Sequence, residues 1–231
     1  AAARQARGIL MAQVQVYSLL ARVAQVCRGC NNTTMIDAYI SAVRRLCAES
    51  RWYRSTLLGA TVALEPNYNL GSDTYNEILG VSAVSALITT GQTRPLVERN
   101  STRWNADTAA DRPEFYQYVP HAQLALHPTP DAIYPLTIGL VLQPKSGSNS
   151  LDEALLVKWD DAFIQGALGY LLGLPGLPWT DKRAAKEQMD LFDAAINSAT
   201  SDAAAGYNAG AVPSGEVGAR TANVRTGYQV L

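Results

Sequence analysis

Residues Ser150–Tyr207 read SLDEALLVKWDDAFIQGALGYLLGLPGLPWTDKRAAKEQMDLFDAAINSATSDAAAGY. Ser150 and Glu153 form an S-x-x-E pair, the capping box that opens a helix. Leu155, Leu156, Trp159, Phe163, Ala167, Tyr170 and Leu171 then follow at helical spacing. Gly173-Leu-Pro-Gly-Leu-Pro178 ends that helix, because proline lacks an N–H and pushes the residue before it out of the helical region. Thr180 caps a second helix, with Asp181 in its first turn. Its apolar residues Ala185, Met189, Phe192, Ile196 and Ala199 alternate in steps of four and three, a seam for packing on another helix. The stretch is a helical hairpin.

Upstream the period changes. Ser55–Leu64, Glu77–Ile88, Glu114–Val119, Gln123–His127 and Ile133–Leu142 read as strands. The last alternates most clearly, with Tyr134, Leu136, Ile138, Leu140 and Leu142 on one face. Turn residues separate the runs: Glu65-Pro66-Asn67, Gly71-Ser72-Asp73, Thr90-Gly91-Gln92 and Pro128-Thr129-Pro130-Asp131. Val119-Pro120-His121 is a tight connection, and 97–113 is a long excursion without clear period. Short strands joined by turns predict an antiparallel sheet or small sandwich.

Further upstream, Val16, Leu19, Leu20, Val23, Val26 and Cys27 fall at helical spacing, closed by Gly29 and Asn31–Asn32. Thr34, with Asp37 three residues on, is expected to start the next helix, whose stripe is Ile36, Ile40, Val43 and Cys47. Residues 1–13 form an Ala-rich arm. From Gly206 on, five glycines and Pro213 preclude an independent core, yet Val224, Thr226, Tyr228 and Val230 alternate as a strand would.

The expected fold class is therefore α+β. An α-helical bundle is assembled from both chain ends (1–53 and 150–206), with an inserted antiparallel β domain (54–144) and an extended C-terminal tail (207–231). That tail suits addition to a partner's sheet edge, and fully extended it reaches roughly 80 Å.

Composition narrows the function. A chain of 231 residues, 48% hydrophobic and 17% charged, can build one sizeable core or one core with a lobe. A net charge of -1 argues against a polyanion binder as a whole. The charge is uneven: residues 1–54 sum to +6 and the remainder to -7, as expected where one face meets a partner. No apolar run is long enough for a membrane span, and Ile9–Ala12 is too short for a signal-peptide core. Three cysteines suggest a reducing compartment.

No chemistry-bearing constellation emerges. Cys27-Arg-Gly-Cys30 has redox spacing but sits at a helix C-terminus, where the dipole disfavours a thiolate. Cys47, His121 and His127 do not complete a zinc pattern, so no metal or cofactor is expected. The histidines lack a nucleophile motif, and Asp160-Asp161, adjacent on a helix, point about 100° apart. The Gly-rich stretches lack the Lys-Ser/Thr of a phosphate cradle. An enzyme is not expected. The cluster Arg44, Arg45, Arg51, Trp52, Tyr53, Arg54 carries more weight. Arginines beside aromatics suit a nucleic-acid-binding module. The favoured reading puts the aromatics in a core and the arginines in ion pairs with acidic neighbours or in a subunit interface.

Three stretches carry a resemblance. They are Ala38-Tyr-Ile-Ser-Ala-Val-Arg-Arg-Leu-Cys-Ala-Glu-Ser-Arg-Trp-Tyr-Arg54, Leu124-Ala-Leu-His-Pro-Thr-Pro130, and the hairpin with its Leu-Pro-Trp-Thr-Asp elbow at 177–181. In this order, across residues 33–207, the chain resembles the head-to-tail adaptor (head completion) proteins of tailed phages, particularly short-tailed ones. The Ala-rich arm and the Cys27–Cys30 pair depart from the pattern. The resemblance implies a structural virion protein, made in the host cytoplasm and located at the head–tail junction. It implies a homo-oligomeric ring, typically of twelve subunits, between the portal protein and the tail or nozzle proteins. Double-stranded DNA would pass through the lumen without sequence-specific binding. A C-terminal extension would reach the portal, which makes Val212, Arg220, Val224, Arg225, Tyr228, Val230 and Leu231 candidate interface residues. Arg51 and Arg54 are candidates at the portal or subunit contact.

Overall fold

The computed structural model describes residues 12–71, 74–89, 92–99, 109–119 and 123–206. The order is β1 (Gln13–Gln15), a 3-10 turn (Val16–Leu19), α1 (Ala21–Val26), α2 (Asn32–Ser50), β2 (Arg54–Ala60), β3 (Asn67–Asn69), β4 (Asn76–Thr89) and β5 (Gln92–Pro95). Then come β6 (Val97–Glu98), β7 (Phe115–Val119), β8 (Gln123–His127), β9 (Pro135–Pro144), β10 (Ser150–Asp152), α3 (Glu153–Gly173) and α4 (Lys182–Ala204). The chain is of mixed α+β class. Its described residues fall into two compact units, 55–142 and 12–54 with 143–206.

In the helical unit α2, α3 and α4 pack on one another. Gly166 of α3 abuts Ala42 of α2 and the Phe192 ring of α4. The Tyr39 and Phe163 rings meet edge-on at 5.9 Å, as do Trp52 and Trp159 at 5.7 Å. The Tyr39 hydroxyl donates to Asp160 at 2.7 Å. Phe192, Ile196 and Ala199 of the α4 seam are buried, and Met189 is partly covered. In α3, Leu155, Phe163, Ala167 and Leu171 are buried, whereas Tyr170 is exposed.

Three helix starts differ from the sequence expectation. Helix α2 begins earlier than Thr34: Asn31 is its cap, and its Oδ1 accepts the Thr33 N–H at 3.0 Å. Asparagine is at least as strong a cap as threonine, so the helix extends to it. Helix α4 is capped by Asp181, whose carboxylate accepts the N–H groups of Arg183 and Ala184, both at 3.0 Å. Thr180 braces the elbow instead: its Oγ1 donates to the Leu174 carbonyl at 2.5 Å and accepts the Leu177 N–H at 3.0 Å. Ser150 does not cap α3 but lies in β10, antiparallel to β1, with Gln15↔Ser150 and Gln13↔Asp152 opposed. Gln15 donates to the Ser150 hydroxyl at 2.8 Å, and Gln13 donates to the Asp152 carboxylate. A distant segment thus claims the serine that the local motif assigned to the helix.

The β unit holds two four-stranded sheets, ordered β2-β9-β4-β5 and β3-β8-β7-β6. β4–β5, β3–β8 and β7–β8 are antiparallel. β6 pairs with β7 in parallel, so the inserted domain is not wholly antiparallel. Val97–Glu98 supplies that strand from the start of the 97–113 excursion, where the sequence shows no clear period. β9 buries Leu136, Ile138, Leu140 and Leu142 on alternate positions. β2 stops at Ala60 rather than Leu64, because Thr61 is buried and hydrogen-bonded to the loop before β9. Asn67 leaves the turn expected at 65–67 and begins β3.

Candidate interface surfaces

The basic-aromatic cluster separates into two kinds of arginine. Helix α2 ends at Ser50, whose hydroxyl donates to the Leu46 carbonyl at 2.7 Å and accepts the Trp52 N–H at 3.1 Å. This turn sends Trp52 and Tyr53 into the interior, both nearly inaccessible. Arg44 donates to the Pro144 carbonyl, and Arg45 pairs with Glu49 at 2.8 Å and Asp193 at 2.9 Å while lying over the Phe192 ring. Those two arginines are committed to the fold.

Arg51 and Arg54 are not. Arg51 is exposed and occupies the left-handed region at φ 52°, as the residue that closes α2. Glycine is the usual choice there, since a Cβ is disfavoured at positive φ. Arg54 is half-buried and donates through Nε to the Arg51 carbonyl at 3.0 Å. Burial and the neighbouring Arg51 charge both lower its pKa below the usual guanidinium value. Neither side chain makes an ion pair among the described residues.

A second surface lies at one end of the β unit, where the loop 61–66 is laced to the loop 128–134. The Thr61 N–H donates to the Tyr134 carbonyl at 2.9 Å. Its hydroxyl donates to the Ala132 carbonyl at 2.8 Å and accepts the Tyr134 N–H at 2.7 Å. Leu64 N–H donates to the Pro130 carbonyl at 2.8 Å. The Tyr68 hydroxyl lies 2.5 Å from the Glu65 carbonyl oxygen and accepts the Val62 N–H at 3.1 Å. Yet the side chains presented are apolar: Val62, Leu64 and Ile133 are 59%, 72% and 72% exposed. Leu64 also sits at φ 67°, where leucine is strained. Glu65, Asp111 and Asp131 rim this tip as exposed carboxylates. Sequence reasoning missed it, because Val62 and Leu64 read as strand residues and nothing local marks a positive φ.

The remaining candidates divide plainly. Val212, Arg220, Val224, Arg225, Tyr228, Val230 and Leu231 lie outside the described residues, as do the 1–11 segment and His121. Cys27, Cys30 and Cys47 are free thiols. Burial pushes Cys27 up to about 11 and Cys47 up to about 12, and raises Cys30 as well. These thiols are poor nucleophiles. Among the described residues no group of three His, Cys, Asp or Glu side chains is placed to hold a metal. No described helix is long and apolar enough to cross a membrane. What the described surface offers is contact chemistry: unpaired arginines and a braced apolar tip.

A family model described as SU10 adaptor protein matches residues 14–214. No curated protein matches the chain.

Proposed function

We propose, from the premise that this chain belongs to the SU10 adaptor protein family, that it is a ring-forming adaptor at the head–tail junction of a phage virion. In this reading it joins the portal protein of the capsid to the tail or nozzle proteins, and its ring lines the channel through which double-stranded DNA leaves. The observation that carries the reading is the family match, which runs through both described units. Twelve copies are expected. The helices from both chain ends act as one split bundle, the β unit is its insertion, and residues 207–231 form the extended arm that reaches the portal.

Physical features support this. The surfaces with unmet bonding capacity suit protein contacts. A contact between two different patches repeats head to tail and closes into a ring when its rotation allows. A chain of net charge -1 lines a DNA channel without the grip that clustered cations would impose. Electron microscopy of the chain mixed with its portal is the test. Twelvefold rings seated on the portal are expected, and removal of 207–231 is expected to abolish seating. A chain that leaves the portal bare would sink the proposal.

The nucleic-acid-binding alternative draws on Arg51 and Arg54, which have no carboxylate partners among the described residues. Burial of Trp52 and Tyr53 removes the stacking half of such a site, leaving phosphate contacts alone. Binding of short duplex DNA that falls steeply with salt would favour it; no binding at low salt would remove it.

A further inference from the structure

The braced tip of the β unit and the Arg51–Arg54 corner each lack what the other has. We infer that the tip of one copy, with Val62, Leu64, Ile133 and the carboxylates of Glu65 and Asp131, docks on the Arg51–Arg54 corner of a second copy. This rests on the adaptor reading and names the contact through which neighbouring subunits would meet.

The tip is built for contact. A surface loop held by this many internal hydrogen bonds gives up little conformational entropy on binding. Its exposed side chains are nevertheless apolar, and Leu64 keeps a leucine where glycine would adopt the same backbone freely. Strain of this kind persists where the side chain is needed. Asp111 belongs to the same end, since its N–H donates to the Thr129 carbonyl at 2.9 Å and its carbonyl accepts the Asp131 N–H at 3.2 Å. Glu65, Asp111 and Asp131 make no ion pair among the described residues. Their described contacts are to the Asn67 and Arg112 N–H groups and the Tyr134 hydroxyl.

The corner is the counterpart. Arg51 also holds a positive φ that glycine would occupy at no cost, and Arg54 is a half-buried cation beside a like charge. A docked carboxylate supplies the opposite charge that offsets both the desolvation of Arg54 and the repulsion from Arg51. The charge of the two patches points to self-recognition: among the described residues the corner holds two arginines outside any ion pair and the tip three such carboxylates. Because tip and corner are different patches, each copy offers one of each, and the contact propagates.

The test is sedimentation velocity of the full chain at low and high salt. Leu64→Gly removes the apolar side chain and relieves the backbone, so folding is not weakened while self-association falls by roughly tenfold or more. Glu65→Arg/Asp131→Arg and Arg51→Glu/Arg54→Glu should each weaken association at low salt. Mixing these two variants makes both contacts between unlike copies complementary, so equimolar mixed assemblies form where neither variant assembles alone, and the fourfold variant regains wild-type assembly. Circular dichroism melts report folding. Unchanged association of Leu64→Gly excludes the tip, and a folded fourfold variant that stays dissociated excludes this pairing. A wild-type chain that never self-associates overturns the inference but leaves the adaptor reading to the portal imaging.

Discussion

Replacing Gly166 by alanine tests the three-helix packing directly. In an open helix the change stabilises by about 1 kcal/mol, because alanine is the better helix former. Here an added Cβ would sit 2.7 Å from the Ala42 Cβ and 3.1 Å from two carbons of the Phe192 ring. Carbon atoms prefer roughly 3.5–4.0 Å, so something must move. Ala42 is fixed to the α2 backbone, and Phe192 lies beneath the Arg45 guanidinium at 5.5 Å, which is itself tied to Asp193. Overpacking of this kind costs about 1–3 kcal/mol, and two stiff neighbours put Gly166→Ala near the upper end. Less the propensity gain, a net loss of about 1–2 kcal/mol is expected. Gly173 is the control on the same helix. Its added Cβ would lie 3.9 Å from the Ala185 Cβ, an ordinary contact, so Gly173→Ala should stabilise by a few tenths of a kcal/mol. Urea unfolding followed by tryptophan fluorescence reads both, since Trp52 and Trp159 lie within this unit. Adding Ala42→Gly to Gly166→Ala should recover part of the loss. A Gly166→Ala midpoint at or above wild type would refute the close approach of α2, α3 and α4.

Other outcomes follow from single residues. Asp152 is buried, and burial raises its carboxyl to about 6. The folded state therefore binds this proton more tightly than the unfolded chain. Its contribution is fully present below about pH 4, is lost as pH rises through about 6, and leaves a penalty of roughly 2–3 kcal/mol at neutral pH. Asp152→Asn should accordingly stabilise at pH 7 and not at pH 4, read by melts across that range. Asp181→Ala removes the α4 cap and should cost about 1 kcal/mol, whereas Thr34→Ala, inside α2, should cost less than loss of a cap. Thiol labelling of the native chain at pH 8 should reach Cys30, which is partly exposed, far faster than Cys27 or Cys47. All three should react alike after denaturation.

The sequence carried a good part of this molecule through period and punctuation. The β9 face, the α4 seam and the Gly-Pro elbow are local patterns, and local patterns survive into the structure because each segment buries its own apolar side. The separation of the arginines was half visible. Trp52 and Tyr53 have to be buried somewhere, but which arginine finds Asp193 and which stays unpaired depends on helices far apart in sequence.

By itself, the chain determined that an Ala-rich start, two helices, a β-patterned middle, a helical hairpin and a Gly-rich end follow in that order. Tertiary structure alone decided the rest. It took Ser150 from a helix cap and gave it to β1, because a strand 135 residues away satisfies its hydroxyl. It moved the α4 cap from Thr180 to Asp181, because the elbow carbonyl needed the threonine. And it turned Val62, Leu64 and Ile133 outward on a rigid loop, because Thr61 and Tyr68 spend their hydrogen bonds holding that loop in place. Such outcomes are competitions between a local partner and a distant one, and sequence displays only the local contender.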